Sequence, residues 1–191
     1  MTFSWGAILP AALLVSCLAS FSWSVRHFFT RPAGFTASMK LITISATAFG
    51  LLHLFAILWS SKVSLGRSLA GSLVYLLAAG LFWWAIRTSL QRPLSAAFSP
   101  DAPEHLVQSG PYRWIRHPFY TSYLLTWIAG WIVAAYWWLL PTVVFMAAVY
   151  LVASSTEEQK FLHSPLSGAY QQYRRRTGRF FPNLAKLLAT P

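Results

Sequence analysis

Two short polar segments hold most of the residues able to do chemistry in this chain. The first reads Gly110-Pro111-Tyr112-Arg113-Trp114-Ile115-Arg116-His117-Pro118-Phe119-Tyr120. Gly110-Pro111 marks a turn, and His117 followed by Pro118 marks a helix start, because proline is best tolerated at the first helical position. A helix starting there aims its free N–H groups and positive dipole end at the place where Arg116 and His117 sit. That combination suits an anion such as a carboxylate or phosphate. The plainer reading is an arginine snorkelling to a membrane boundary beside a capping histidine. The second segment opens with Glu157-Glu158 and resumes as Tyr170-Gln171-Gln172-Tyr173-Arg174-Arg175-Arg176-Thr177-Gly178-Arg179-Phe180-Phe181-Pro182. Half of the chain's four acids stand together there, at a helix C-terminus, where the dipole disfavours them. They call for a cationic or hydroxyl-bearing partner, or for pairing with arginines such as Arg116 or the 174–176 cluster. Taken alone, Arg174–Arg176 reads as a basic face drawn to anionic lipid headgroups.

The elements that must position these segments are apolar and long. The 191 residues are 56% apolar, 17% aromatic and 10% charged, with 15 Lys and Arg against four acids. A soluble domain carries about 25% charged residues, so this chain cannot cover a water-facing surface. A net charge of +11 on a soluble protein would point to nucleic acid; between long uncharged runs it points to a membrane instead, with no nucleic-acid partner. Uncharged runs cover Trp5–Val25, Leu41–Ser61, Ser68–Ile86 and Phe119–Ser155. No Lys or Arg precedes Arg26, so the first run reads as a retained span rather than a signal peptide. The fourth run is too long for one helix across about 30 Å of hydrocarbon. It divides into two helices joined near Ala135–Pro141, with Pro141 as the break and Trp137-Trp138 as an interfacial anchor. The expected fold is all-α: a polytopic membrane protein of about five transmembrane helices, the last two a helical hairpin, with a cytoplasmic C-terminal tail. It forms a single membrane domain, with the first two spans and loops in 1–67, a catalytic core in 68–182 and a tail in 183–191. Cys17 is the single cysteine, which excludes an internal disulfide or a cysteine-based zinc site. His27, His105 and His163 show no metal-ligand spacing. His53, inside the second run, is a functional candidate by position and reads as a helix–helix hydrogen bond.

Arg116-His117-Pro118-Phe119-Tyr120 preceded by Gly110-x-Tyr112, then Glu157-Glu158 and a Tyr-x-x-Tyr with trailing basic residues, resembles the isoprenylcysteine carboxyl methyltransferase family. That superfamily also contains phospholipid methyltransferases. The resemblance covers roughly residues 70–182 and implies S-adenosyl-L-methionine as cofactor, with a lipophilic or membrane-associated small molecule as methyl acceptor. It places the cofactor on Gly110, Tyr112, His117, Pro118, Phe119, Tyr120 and Glu158. Arg116, His117 and the helix N-terminus are candidates for its carboxylate, and Glu158 for its amine or ribose hydroxyls. Tyr112 and Tyr120 would offer aromatic faces to its sulfonium. The stretch before the Gly-x-Tyr (Glu104, His105, Leu106 and Val107) would wrap it. Methyl transfer to a carboxylate needs no base, whereas a thiol or amine does, and His117 or Glu157 would supply it. In the prenylcysteine members a substrate-contacting arginine stands one helical turn before the cofactor-binding glutamate; this chain has Ser154 there, which separates cofactor use from the prenylcysteine acceptor.

Sterol reductases carry a similar Arg-His-Pro-x-Tyr string near a nicotinamide cofactor, on longer chains with more spans. A nicotinamide-dependent membrane reductase is therefore the alternative enzyme. A non-catalytic membrane protein is the alternative outside enzymes, although a transporter would show internal repeats, and none is evident. The acceptor and the oligomeric state are left open by the sequence. Its orientation is not. With five spans, one side holds Arg26, Arg31 and Lys40, then Arg87, Arg92, Arg113 and Arg116, then Lys160, Arg174–Arg176, Arg179 and Lys186. That is thirteen charges against two, Lys62 and Arg67, on the other. The positive-inside rule then puts the tail in the cytoplasm and the N-terminus outside. A reporter active only in the cytosol, fused after Pro191, should give signal; a silent fusion there with an active one at residue 1 would overturn the five-span count.

Overall fold

The computed structural model describes residues 5–29, 36–61, 63–90, 103 and 105–183. Among these residues the fold is all-helical: α1 (Ile8–His27), α2 (Ala37–Trp59), α3 (Leu65–Ser89), α4 (Pro118–Ala134), α5 (Leu140–Leu162) and α6 (Ser167–Arg176). The helix starts follow local chemistry. Thr36 accepts the Met39 N–H at 3.2 Å to cap α2, and Ser64 accepts the Arg67 N–H at 3.4 Å to cap α3. Both use a hydroxyl to satisfy an amide that the helix leaves unpaired. α4 begins with Pro118 after His117, as the proline placement requires. Its end departs from expectation. The chain leaves α4 at Ala135, in the left-handed region at φ 55°, and Pro141 lies within the first turn of α5 rather than marking the break.

Trp5–His27, Ala37–Trp59, Leu65–Ser89 and Trp137–Leu162 are long and apolar enough to cross a membrane. α4 has 17 residues, about 25 Å at 1.5 Å per residue. It falls just short of that length. The outer faces are oily: Leu65, Leu69, Leu73 and Leu76 of α3 are each more than half exposed, as are Leu41, Ile44 and Leu51 of α2. Stripes at helical spacing on this scale belong against lipid. The chain is an integral membrane protein.

α4 is the centre of the bundle, with twelve of its seventeen residues buried. It packs on α1, α2, α3 and α5, most extensively on α3. Small residues permit that approach: a Cβ on Gly71 would lie 2.1 Å from Val133 Cγ2. Cross-links between helix ends define two poles. At one, Ser68 donates to Gly6 O at 2.7 Å and Ser60 to Ala134 O at 3.0 Å. At the other, Ser89 meets the Tyr112 hydroxyl, and the start of α4 lies beside the last turns of α5.

The helix–helix role of His53 is found near the first pole. His53 Nε2 lies 2.8 Å from Thr142 Oγ1, whose proton goes to Leu139 O at 2.7 Å. Thr142 therefore accepts, and His53 donates from Nε2. Its other nitrogen, Nδ1, is left as an acceptor beside Gly130, close to the Tyr75 hydroxyl; a Cβ on Gly130 would lie 2.4 Å from that nitrogen and 3.0 Å from Tyr75 Oη. Gly130→Ala must displace the ring and should cost about 1–3 kcal/mol, as overpacking does. In detergent, its melting point should fall. Combined with His53→Ala it should cost less than the two single changes added, and additive costs would place the strain elsewhere.

Candidate functional site

The second pole gathers the polar motifs. Its centre is Glu158, one turn from the end of α5 and only 3% exposed. Its Oε1 takes Arg116 Nε at 2.9 Å and faces His117 Nε2 at 3.2 Å. Its Oε2 takes Arg179 Nη2 at 3.1 Å, with Arg174 Nε at 3.8 Å. Both oxygens are engaged: the pairing with Arg116 is realised, the 174–176 cluster contributes only Arg174 at its edge, and the second close partner is Arg179. Glu157 is more open, at 28% exposed, and lies 3.5 Å from His117 Nδ1. It accepts a hydrogen bond from the Tyr120 hydroxyl. Tyr120 stacks on Tyr150 at 5.4 Å and on His117 at 5.7 Å, so an aromatic column leads from the acids into the bundle.

Arg116 and His117 are held by a segment for which sequence reasoning assigned no role. Residues 177–181 run beside 114–117 as a strap. The Arg116 N–H donates to Gly178 O at 2.9 Å, His117 N–H to Arg179 O at 3.1 Å, and Gly178 N–H to Trp114 O at 3.0 Å. Arg116 Nη1 donates to Thr177 O at 2.6 Å, and Thr121 Oγ1 to Phe180 O at 2.8 Å. The amides of Arg116 and His117 are therefore occupied by carbonyls. Gly178 is required, since a Cβ would lie 1.7 Å from Phe181 O. α6 anchors the strap: Tyr170 and Tyr173 are buried, and Tyr173 donates to Tyr112 O at 2.8 Å. The only hints in the sequence were the Tyr-x-x-Tyr spacing, which puts both rings on one helix face, and Gly178 in the Thr-Gly-Arg that follows the arginine run.

The remaining candidates scatter around this cluster. Tyr112 is buried beside Phe119, Phe82 and Phe28, with Val107 packed against them. Burial raises the pKa of Tyr112, only partly opposed by its contact with Ser89, so it is a neutral phenol. Gly110 has φ 56°, and a Cβ would lie 2.2 Å from Thr88 Oγ1; glycine alone fits that turn. Pro118 and Phe119 are buried in the first turn of α4. His105 and Leu106 are half-buried on the approach to it, and Glu104 lies outside the described residues. Ser154 is fully buried, and its hydroxyl donates to Leu151 O in its own helix at 3.0 Å. Among the described residues no three His, Cys, Asp or Glu side chains converge as a metal would require.

The electrostatics follow from this geometry. Arg116, Arg174 and Arg179 outnumber Glu157 and Glu158, so the cluster carries surplus positive charge and accommodates a carboxylate. For His117, burial pulls the pKa down. The hydrogen bonds and charges of Glu157 and Glu158 outweigh it, and the pKa lies above its ordinary 6.5. Each ring nitrogen faces a carboxylate, an arrangement that favours a doubly protonated ring. A raised folded-state pKa contributes stability fully present below about 6.5 and lost as pH rises through the folded-state value. The melting-point gap between the protein and His117→Gln should therefore be widest in acid and narrow as pH rises. A gap that stays constant between about pH 5.5 and about 9 would show that His117 acts as a neutral ring.

A search of curated proteins finds no match. A family model described as phospholipid methyltransferase matches residues 66–166. That is more than half of the chain, from the first turn of α3 through α5, and it takes in Arg116, His117, Glu157 and Glu158. Arg174, Arg179 and the strap lie beyond it. The chain carrying this cluster belongs to the phospholipid methyltransferase family of membrane methyltransferases.

Proposed function

We propose that the protein transfers a methyl group from S-adenosyl-L-methionine to a lipophilic acceptor reached from the membrane. In this reading α4 is a fifth span forming a hairpin with α5, the N-terminus is outside, and the Glu158 cluster lies at the cytoplasmic face. The observation that carries it is the buried Glu158 carboxylate holding Arg116, His117 and Arg179 together, with positive charge to spare.

That surplus fits the cofactor's carboxylate, which Arg116 and His117 would meet with help from Arg179. Glu158, with both oxygens engaged, serves by orienting these cations rather than by reaching the cofactor's amine. Tyr112 and Tyr120 fit a cationic sulfonium, since an aromatic face beside a cation is worth about 0.5–2 kcal/mol. When bound, the cofactor supplies an electrophilic methyl group for in-line displacement; the chain supplies alignment and exclusion of water.

Glu157 is the acid left to act on the acceptor. It is partly open, accepts from Tyr120 and faces His117, which suits a base that takes a proton from a thiol or an ammonium. Ser154 supports the same acceptor class. Where prenylcysteine enzymes place a cation on this helix for the acceptor's carboxylate, Ser154 has neither charge nor an outward hydroxyl. Leaving a buried anion unpaired costs several kcal/mol.

The test combines binding with turnover. Calorimetry on the purified chain should show S-adenosylhomocysteine binding and no NADPH binding. A labelled-methyl assay over small thiols, aminophospholipids and a farnesylcysteine analogue should favour the first two, with rates rising with pH. Glu157→Gln should slow those reactions by about 10²–10⁴-fold while retaining S-adenosylhomocysteine affinity. Binding of NADPH alone would replace this reading with a reductase. Efficient, pH-independent methylation of the farnesylcysteine analogue would return the acceptor to a carboxylate.

A further inference from the structure

Beyond Glu158, α5 ends at Leu162 and the chain turns into α6. Between them lies an open cavity of about 420 Å³ lined by Leu162, Gln171, Arg174 and Arg175. Its position sets its environment. The uncharged run of α5 ends at Ser155, and Leu162 lies seven residues, about 10 Å of helix, beyond it, which puts the cavity at the level of the headgroups. Its walls are held firmly, because α6 is pinned from beneath: Tyr170 stacks on Phe161 at 4.8 Å and Tyr173 is bonded to Tyr112. Arg175 projects on the face away from Tyr173, and Arg174 stands at the edge between the two faces, beside Glu158.

The charge in the cavity is not neutralised from within. α6 ends in Arg174, Arg175 and Arg176 and has no acid in its first turn. No acid lines the cavity. Arg175 makes no ion pair among the described residues. Arg174 reaches Glu158 only at 3.8 Å, on an oxygen already taken by Arg179 at 3.1 Å, and it is 49% exposed. Two adjacent guanidinium groups over an apolar wall match a group that is anionic at one end and oily at the other.

We propose that this cavity is a binding site for the headgroup of an anionic phospholipid. Arg174 and Arg175 donate to the phosphate, Gln171 meets the polar remainder, and Leu162 lies against the upper acyl chain. The site adjoins the Arg116–Glu158 cluster, with Arg174 shared between the phosphate and Glu158. It requires only the membrane setting, not the cofactor or the acceptor.

The full chain in phosphatidylcholine vesicles, probed with trace spin-labelled phosphatidylglycerol or phosphatidylcholine, tests this. Electron spin resonance should show more phosphatidylglycerol immobilised at the protein. A surface arginine is worth roughly a fivefold preference for anionic lipid, so Arg175→Gln should lower the preference by about that factor. The Arg174→Gln/Arg175→Gln pair should bring it close to phosphatidylcholine, and Arg175→Lys should retain most of it. Arg176→Gln removes the same charge from the same helix outside the cavity and should lower it much less. All three positions changed are exposed, and unchanged melting points would show that the fold persists. Equal losses from Arg175→Gln and Arg176→Gln, or no preference in the unaltered chain, would overturn the proposal.

Discussion

A carboxylate that is 3% exposed at the end of an apolar helix survives only if its desolvation is repaid. Moving such a charge out of water costs several kcal/mol even after relaxation. Glu158 meets that cost with two close guanidinium groups and one imidazole. The consequence is architectural, because those partners come from distant parts of the chain. Arg116 and His117 precede α4, and Arg179 follows α6. One oxygen atom pair on α5 therefore draws together the segment before the central helix and the segment after the last one. Removing it would leave a nearly buried Arg116 (8% exposed) uncompensated, and breaking such a pair is far costlier than never having built it.

The strap extends the same logic from side chains to backbone. A helix starting with proline leaves amides unpaired just before it. In α4 the preceding amides, on Arg116 and His117, find Gly178 O and Arg179 O, so the tail is both cap and clamp. Arg116 is then fixed at both its backbone and its guanidinium, which accepts no alternative rotamer without losing Thr177 O or Glu158. The carbonyls of the strap thus preorganise Arg116 before any charged group approaches it.

The two poles of the bundle handle polarity differently. Near the first, the polar groups are neutral and paired between helices: Ser60, Ser68, and the chain from His53 through Thr142 to Leu139 O. Such bonds are modest in a membrane, but with small residues such as Gly71 and Gly130 they set which helix faces meet. At the second pole the groups are charged, aromatic and partly open. The apolar outer faces of α2 and α3 keep both poles in register with the bilayer.

Much of this was written in the order of residues. Uncharged runs separated by basic clusters determined an all-helical membrane protein, because only helices and closed barrels satisfy backbone groups in hydrocarbon and runs of about 20 residues have the length of a helix. His117-Pro118 determined where α4 starts, since proline constrains its own dihedral angle whatever surrounds it. The order of the Arg-His-Pro-x-Tyr and Glu-Glu motifs pointed to the site. Other features depended on contacts between distant segments, which periodicity does not encode. Pro141 could break a helix or open one, and a left-handed Ala135 decided for the latter. Ser154 stood at a candidate acceptor position, but only packing showed its hydroxyl turned back on Leu151. Arg174, Arg175, Arg176 and Arg179 were alike as charges in a basic run. Tertiary structure sent Arg179 to Glu158, held Arg174 at the edge of the same acid and turned Arg175 away from it, because burial of one carboxylate selects partners by geometry and not by charge alone.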